Sequence, residues 1–416
     1  MGDVYRLRSS VNHNQVNVVV TGMGMTTPLG SDVASTWRAL LAGESRVSIL
    51  DDEWAADLPV KMASRAYQDP AEVLSGGEAR RLDRSQQFAV VVARQAWADC
   101  GAPDVDPERF AVVIGTGIGG GLTTIAQHDK ITAHGARRVS PYTIQMLMPN
   151  GAAAAVSLDL GARGGAHAPM SACASGAEAI AMGLELLRSG RADIVLAGGT
   201  EACVGQLSMA AFAQMGALSQ RAHEPQAASR PFDAARDGFV LAEGAAAVVL
   251  ERADSARARG ARAYARLAGA GMSCDARDMT NPHSEGQVRA MKEAMATAGL
   301  TPSDIGHVNA HATGTPAGDC VEASAVIEAV GDHPLVTATK SSTGHMIGGS
   351  GAVEAVFTVL SLRDGVIPPT RNLDTQAPDI QVKVVTGAPH RGSLNAALSN
   401  SFGFGGHNVA LAITTT

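Results

Sequence analysis

Aromatic residues make up only 4% of this 416-residue sequence. So few rings do not suit a surface that stacks unpaired bases. Charged residues are also sparse, at 18%, and the net charge is −7. That balance argues against wholesale nucleic-acid binding and leaves only local basic patches. Cysteine is scarce: Cys100, Cys173, Cys203, Cys274 and Cys320, an odd number at long spacings with no CxxC pair. This excludes a disulfide framework or a zinc site and fits a reducing cytoplasm. No run of 18 apolar residues occurs, so no membrane span is expected. Residues 1–15 are polar without an apolar centre, unlike a secretory signal. What is plentiful is hydrophobic residues, at 45%, and 46 glycines, which suit a large core of helices packed closely on sheets.

Apolar runs alternate with stretches of helical periodicity along the chain. Strands are expected near 16–21, 110–114, 192–197, 245–251, 307–311, 335–340, 382–385 and 395–399. Helices are expected near 78–100, 286–299, 321–330 and 349–362. The alternation predicts an α/β fold with mainly parallel central strands. Gly22-Met23-Gly24 follows the first strand like a phosphate loop, but its glycine spacing does not match a dinucleotide fingerprint, and a tight turn is the better reading. The same pattern returns as Gly269-Ala270-Gly271, and Ser175-Gly176-Ala177 returns as Ser350-Gly351-Ala352, in the same order. The echoes suggest two related halves, with a seam near 255–262 and an insertion in the first half.

The sequence Ser171-Ala172-Cys173-Ala174-Ser175-Gly176 joins a possible buried strand, 165–170, to a helix with Ile180, Leu184 and Leu187 on one face. A cysteine in the first turn of a helix meets open amide N–H groups and the positive dipole end. Such a place lowers a thiol's pKa and favours the nucleophilic thiolate. The other reading is a small buried hydrophobe. Three further polar turns follow: Asn309-Ala310-His311-Ala312-Thr313-Gly314-Thr315, Lys340-Ser341-Ser342-Thr343-Gly344-His345, and Asn400-Ser401-Phe402-Gly403-Phe404-Gly405-Gly406. Strand ends converge on the ligand crevice in parallel α/β sheets. Two histidines in such turns, together with a helix-start cysteine, favour a nucleophilic site over scattered polar residues.

On these motifs the sequence resembles the β-ketoacyl-acyl carrier protein synthases, condensing enzymes of the thiolase superfamily, and most closely the elongating type II group in its actinobacterial form. The resemblance runs over about residues 16–412. It implies a five-layer αβαβα fold of two related halves, 1–258 with inserted cap segments and 259–416. It also implies a homodimer and no redox or phosphate cofactor. The implied reaction joins an acyl thioester to malonyl-acyl carrier protein with loss of CO2. Cys173 would be the nucleophile, with the backbone N–H groups of Cys173 and Phe404 as the oxyanion hole. Neutral His311 and His345 would donate hydrogen bonds to the enolate. Lys340 and Glu354 would form a buried ion pair behind them. Thr313 and Thr315 match the threonines that hold the pantetheine arm, and Ile118, Phe212 and Phe404 match the acyl pocket and its gate. Arg80, Arg81, Arg137 and Arg138 would steer an acidic carrier protein. A monovalent cation is sometimes held near the positions of Asn309, Glu354, Ser399 and Asn400.

Three positions depart from the family pattern: Tyr142-Thr143 where relatives carry an aromatic pair, Asp278 where they carry histidine, and no basic residue near Gly216. These bear on chain length and carrier preference. The alternative within the same chemistry is the ketosynthase subunit of a type II polyketide synthase, paired with a chain-length partner. A degradative thiolase would need a second cysteine near 402–406, and none is there.

Overall fold

The computed structural model describes residues 16–416; the expectation for residues 1–15 lies outside them. The eleven-stranded sheet takes five strands from the first half: β1 (Val18–Thr26), β2 (Phe110–Gly115), β3 (Ala166–His167), β4 (Ile194–Glu201) and β5 (Gly244–Arg252). Six come from the second: β6 (Ala265–Cys274), β7 (His307–Asn309), β8 (Leu335–Thr337), β9 (Lys383–Val384), β10 (Ala396–Gly403) and β11 (His407–Thr414). They are hydrogen-bonded in the order β9-β8-β7-β10-β11-β6-β1-β5-β4-β2-β3.

Read outward from the middle, the two sides repeat. The order β1-β5-β4-β2-β3 on one side matches β6-β11-β10-β7-β8 on the other, with the same sense at each pairing. Only three residue pairs join the sides, Val18 with Leu267, Val19 with Arg266 and Val20 with Ala265. The expectation of mainly parallel central strands is corrected. The central strands β5, β1, β6 and β11 run antiparallel, and parallel pairing is confined to the flanks.

Five helices complete the layers: α1 (Arg84–Asp99), α2 (Ser175–Arg188), α3 (Ser284–Ala298), α4 (Pro316–Ala329) and α5 (Ser350–Asp364). α2 and α5 pack against strands of both sides, while α1 covers the outer face of the first side and α3, with α4, that of the second. The result is an αβαβα stack with its largest apolar cluster around α2 and α5. Glycine sets how close these layers come. A Cβ on Gly176 would lie 2.8 Å from the Ala352 amide, and one on Gly351 would lie 2.8 Å from the Ala177 amide. Each central helix therefore crosses the other through a glycine at its start.

The other glycine echo does the same work at the outer layers. Gly22 and Gly24 lie inside β1, which continues through Thr26, so the expected turn is corrected. Added Cβ atoms there would come within 2.3 Å of the Ala96 carbonyl and 2.0 Å of the Val92 carbonyl of α1. Gly269 and Gly271 of β6 meet Ala294 and Ala290 of α3 in the same way. Two other expectations change. The run 165–170 forms only the two-residue edge strand β3. The helix expected from 78 breaks at Asp83, whose carboxylate caps α1 by accepting from the Ser85 amide at 2.8 Å.

Candidate active site

Cys173 sits in a 3-10 turn, Ala172–Ala174, that leads directly into α2. Ala172 holds φ +51°, a left-handed backbone that turns the chain sharply from the segment after β3 into the helix. The Ser175 hydroxyl braces this turn by accepting from the Ser171 amide at 3.0 Å and donating to the Ala172 carbonyl at 2.7 Å. The backbone N–H groups of Phe404 and of Cys173 itself address the sulfur. One expectation fails here: burial pushes the Cys173 thiol up, to about 11, against the opposing pull of Lys340 and the two amides. The helix end is present, but full desolvation of the thiolate outweighs it.

His345 Nε2 lies 3.1 Å from Cys173 Sγ. On the other side of the ring, Nδ1 is 3.0 Å from the Ser350 hydroxyl, which also accepts from the Met346 amide at 2.9 Å. A hydroxyl that already accepts from the amide is well placed to donate to Nδ1, and that arrangement puts the ring proton on Nε2. His311 is fixed more firmly. Lys340 Nζ lies 3.3 Å from its Nδ1. An ammonium has no lone pair, so Nδ1 accepts and Nε2 carries the proton. The two rings stand edge to face with centroids 5.4 Å apart. Burial holds both imidazoles well below the usual histidine range, with the Lys340 charge adding to it. Both are therefore neutral donors at ordinary pH.

Lys340 is 1% exposed and so is a buried charge. Its three ammonium hydrogens are all engaged: by His311 Nδ1, by the His311 carbonyl at 2.7 Å and by Glu354 Oε1 at 2.5 Å. Burial raises the Glu354 carboxyl, to about 7, while Lys340 pulls the other way. Two carboxylates escaped the sequence reading. Glu322 accepts from the His311 amide at 2.9 Å and the Ala312 amide at 2.7 Å. Asp319 accepts from the Gly314 amide at 3.0 Å and the Phe232 amide at 2.8 Å. Their spacing of three on α4, just after the threonine turn, is the signal that would have found them.

A cavity of about 440 Å³ opens onto the sulfur, lined by Ile118, Phe212, Thr313, Thr315 and Phe404 together with Cys173, His311 and His345. The Thr313 and Thr315 hydroxyls lie 3.2 Å apart. Arg80, Arg81, Arg137 and Arg138 are exposed and do not line this cavity. The Arg81 guanidinium stacks 5.6 Å from the centre of the Tyr142 ring.

Cation sites were weighed on the same geometry. Cys173 and the two histidines bring ligand atoms within 4.8 Å of one another. The Lys340 charge beside His311 opposes a metal ion there. Elsewhere, Asn309 Oδ1, Glu354 Oε2 and Ser399 Oγ are buried without a partner among the described residues. Ser399 registers beside Asn309, whose Nδ2 donates to the Glu354 carbonyl at 3.2 Å. These oxygens on adjoining residues fit a hard cation. Asn400 does not join them by its side chain, which turns to the other face of β10 and donates to Glu322 at 3.2 Å.

Family profiles match two stretches: "Beta-ketoacyl synthase, N-terminal domain" over residues 15–256 and "Beta-ketoacyl synthase, C-terminal domain" over residues 264–374. The chain is 45% identical over 401 residues to the 3-oxoacyl-[acyl-carrier-protein] synthase 2 of Mycobacterium bovis, covering 95% of this chain and 96% of the relative. It is 39% identical over 409 residues to the Synechocystis protein of the same name, covering 96% and 98%. Among solved structures, the ishigamide ketosynthase/chain length factor superposes with a TM-score of 0.91 at 30% identity, covering 97% of this chain and all of that one. The type II polyketide ketosynthase AntDE, solved with its acyl-carrier protein AntF, gives a TM-score of 0.90 at 30% identity over the same shares.

Proposed function

The chain belongs to the β-ketoacyl synthase family, and from that premise we propose that it elongates fatty acyl chains by decarboxylative condensation on acyl carrier protein. The observation that carries the reading is the joint placement of the Cys173 sulfur and two neutral histidine N–H donors at one cavity. In the first half-reaction the sulfur attacks an acyl thioester. The carrier thiol leaves with the proton from Cys173, and the backbone N–H groups of Cys173 and Phe404 hold the tetrahedral oxyanion. In the second, malonyl thioester loses CO2, and the Nε2–H groups of His311 and His345 stabilise the enolate oxygen. The enolate carbon then attacks the acyl carbon, Cys173 leaves as thiolate, and the sulfur regains a proton.

The rest of the proposal follows the same footing. Thr313 and Thr315 hold the pantetheine arm, and Ile118 and Phe212 line the acyl path. Arg80, Arg81, Arg137 and Arg138 steer the carrier protein. Asn309, Glu354 and Ser399 hold a monovalent cation that neutralises the buried carboxylate behind Lys340. The halves divide as 1–258 and 259–416, supported by the repeated strand order. A homodimer pairs the β3 edges, where β3 ends the sheet and apolar Ile144, Leu158 and Met170 are 66%, 85% and 45% exposed. Cytoplasmic residence is supported by free cysteines throughout; among the described residues, no helix is long and apolar enough to cross a membrane.

Turnover with a panel of acyl-carrier proteins plus malonyl-carrier protein tests the reading. Extension of saturated fatty acyl groups on a fatty-acid carrier supports it. Activity confined to a polyketide carrier, or dependent on a second related subunit, would replace it with the polyketide reading.

A further inference from the structure

Glu201 is a wholly buried carboxylate that the chemistry above does not use. It ends β4, and no cation among the described residues pairs with it. Burial raises its carboxyl, to about 7, against hydrogen bonds from two different loops. Oε1 accepts from the Thr116 hydroxyl at 3.0 Å. Oε2 accepts from both the Gly117 amide at 2.8 Å and the Gly348 amide at 3.1 Å, and the Ile118 amide also addresses the carboxylate. A single oxygen thus bridges the loop after β2 and the turn that follows His345.

Both segments line the cavity beside Cys173, one through Gly117 and Ile118 and the other through Ile347. They already touch: a Cβ on Gly117 would lie 2.7 Å from Ile347 Cγ2 and 3.3 Å from the Ala172 carbonyl. The enolate donors are held by other groups, His311 by Lys340 and Glu322, and His345 by Ser350 and the Val240 carbonyl.

We propose that Glu201 is a positioning residue for the acyl-transfer half-reaction: its carboxylate clamps the Gly117–Ile118 wall to the Ile347–Gly348 wall and so sets the width of the acyl path at Cys173. The inference rests on the condensing reading and deepens it. A residue that only supported the fold would lower both half-reactions together. A clamp on the acyl path acts on one of them, and more for long acyl groups than for short ones.

The test uses the full-length protein with Glu201→Gln, which puts an N–H₂ donor where one oxygen accepted, and Thr116→Val, a milder change at the edge of the same network. Acyl transfer to Cys173 from C4 and C16 acyl-carrier protein is followed with labelled acyl groups, and CO2 release from malonyl-carrier protein is measured in parallel. For Glu201→Gln the expected result is at least a tenfold slower transfer of C16, a smaller loss for C4, and decarboxylation within twofold of wild type. Thr116→Val shows the same split at smaller amplitude. Equal losses in both half-reactions, or no dependence on chain length, would overturn the proposal. If Glu201→Gln does not fold, Thr116→Val decides alone. A wild-type protein that never acylates Cys173 would sink the underlying reading, whereas an active wild type with unsplit variants would sink only the role of Glu201.

Discussion

The two halves build the same turn and use it differently. In the first, Ala172-Cys173-Ala174 precedes Ser175-Gly176-Ala177; in the second, Ile347-Gly348-Gly349 precedes Ser350-Gly351-Ala352. Both are 3-10 turns running straight into a central helix, and Ala172 and Ile347 share a left-handed backbone, φ +51° and +41°. In both, the helix-start serine accepts from the amide four residues earlier, Ser171 or Met346. At that common position one half presents a thiol and the other a glycine whose amide goes to Glu201. The second Ser350 contact is with His345, whereas Ser175 turns back on its own loop. The lesson is a division of labour. On the proposed reading the first half supplies the nucleophile, and the second supplies the donors, the lysine and the carboxylates behind them.

The largest effect should come from breaking the support that only the second half has. Lys340→Met takes the ammonium away from buried Glu354 and should destabilise the protein by about 3–5 kcal/mol. Urea unfolding would show this, with part of the loss recovered in Lys340→Met combined with Glu354→Gln. A single-variant loss below about 1 kcal/mol would mean the pair behaves as an exposed one. The nucleophile turn offers a second contrast. Because burial pushes the Cys173 thiol up, to about 11, the thiolate fraction below that value grows about tenfold per pH unit. Alkylation of Cys173 by iodoacetamide, read by mass spectrometry, should keep rising from pH 7 to pH 10. A plateau below pH 8 would show that the helix end wins over burial after all.

Much of the site was legible because it lies in turns whose residues are themselves informative. His311 and His345 stand among Gly, Ser and Thr at strand ends, and Cys173 stands at a small-residue helix start, so local sequence marks them. The misreadings share one cause, contact with distant parts of the chain. Gly22 and Gly24 look like a turn until α1 is seen lying against them. The Cys173 thiol looks acidic from its helix alone, yet burial under residues distant in the sequence raises it against the pull of Lys340 and the Phe404 amide. Nothing local marks Glu201, and only their spacing of three marks Asp319 and Glu322, because sequence does not show that folding buries all three under backbone amides. Strand direction likewise escaped, since it depends on which strands pair across the middle.

Smaller effects sharpen the symmetry itself. Gly176→Ala and Gly351→Ala each overpack the crossing of α2 and α5, and each should cost about 1–3 kcal/mol. Thermal or urea unfolding should find the two similar, because each added methyl meets the other half's helix start at the same 2.8 Å. A large loss for one and none for the other would show that the crossing is not shared. The smallest effect concerns only the first half's surface. Replacing Arg137 and Arg138 by glutamate should slow association with an acidic carrier protein by about 3- to 10-fold and flatten its salt dependence. Turnover of a small acyl thioester should be unchanged; equal losses on both substrates would assign the arginines to structure.

The division of labour between the halves is tested most directly by separating the two half-reactions. Labelled acyl groups from acyl-carrier protein are followed onto the protein, and CO2 release from malonyl-carrier protein is measured, for Cys173→Ala and His311→Ala side by side. Cys173→Ala should take up no acyl label and still release CO2, because both histidines remain. His311→Ala should still trap acyl-Cys173 while decarboxylation falls about 100- to 1,000-fold, the usual cost of one lost donor to a developing oxyanion. Acylation of Cys173→Ala at the wild-type rate would place the nucleophile elsewhere and contradict the account.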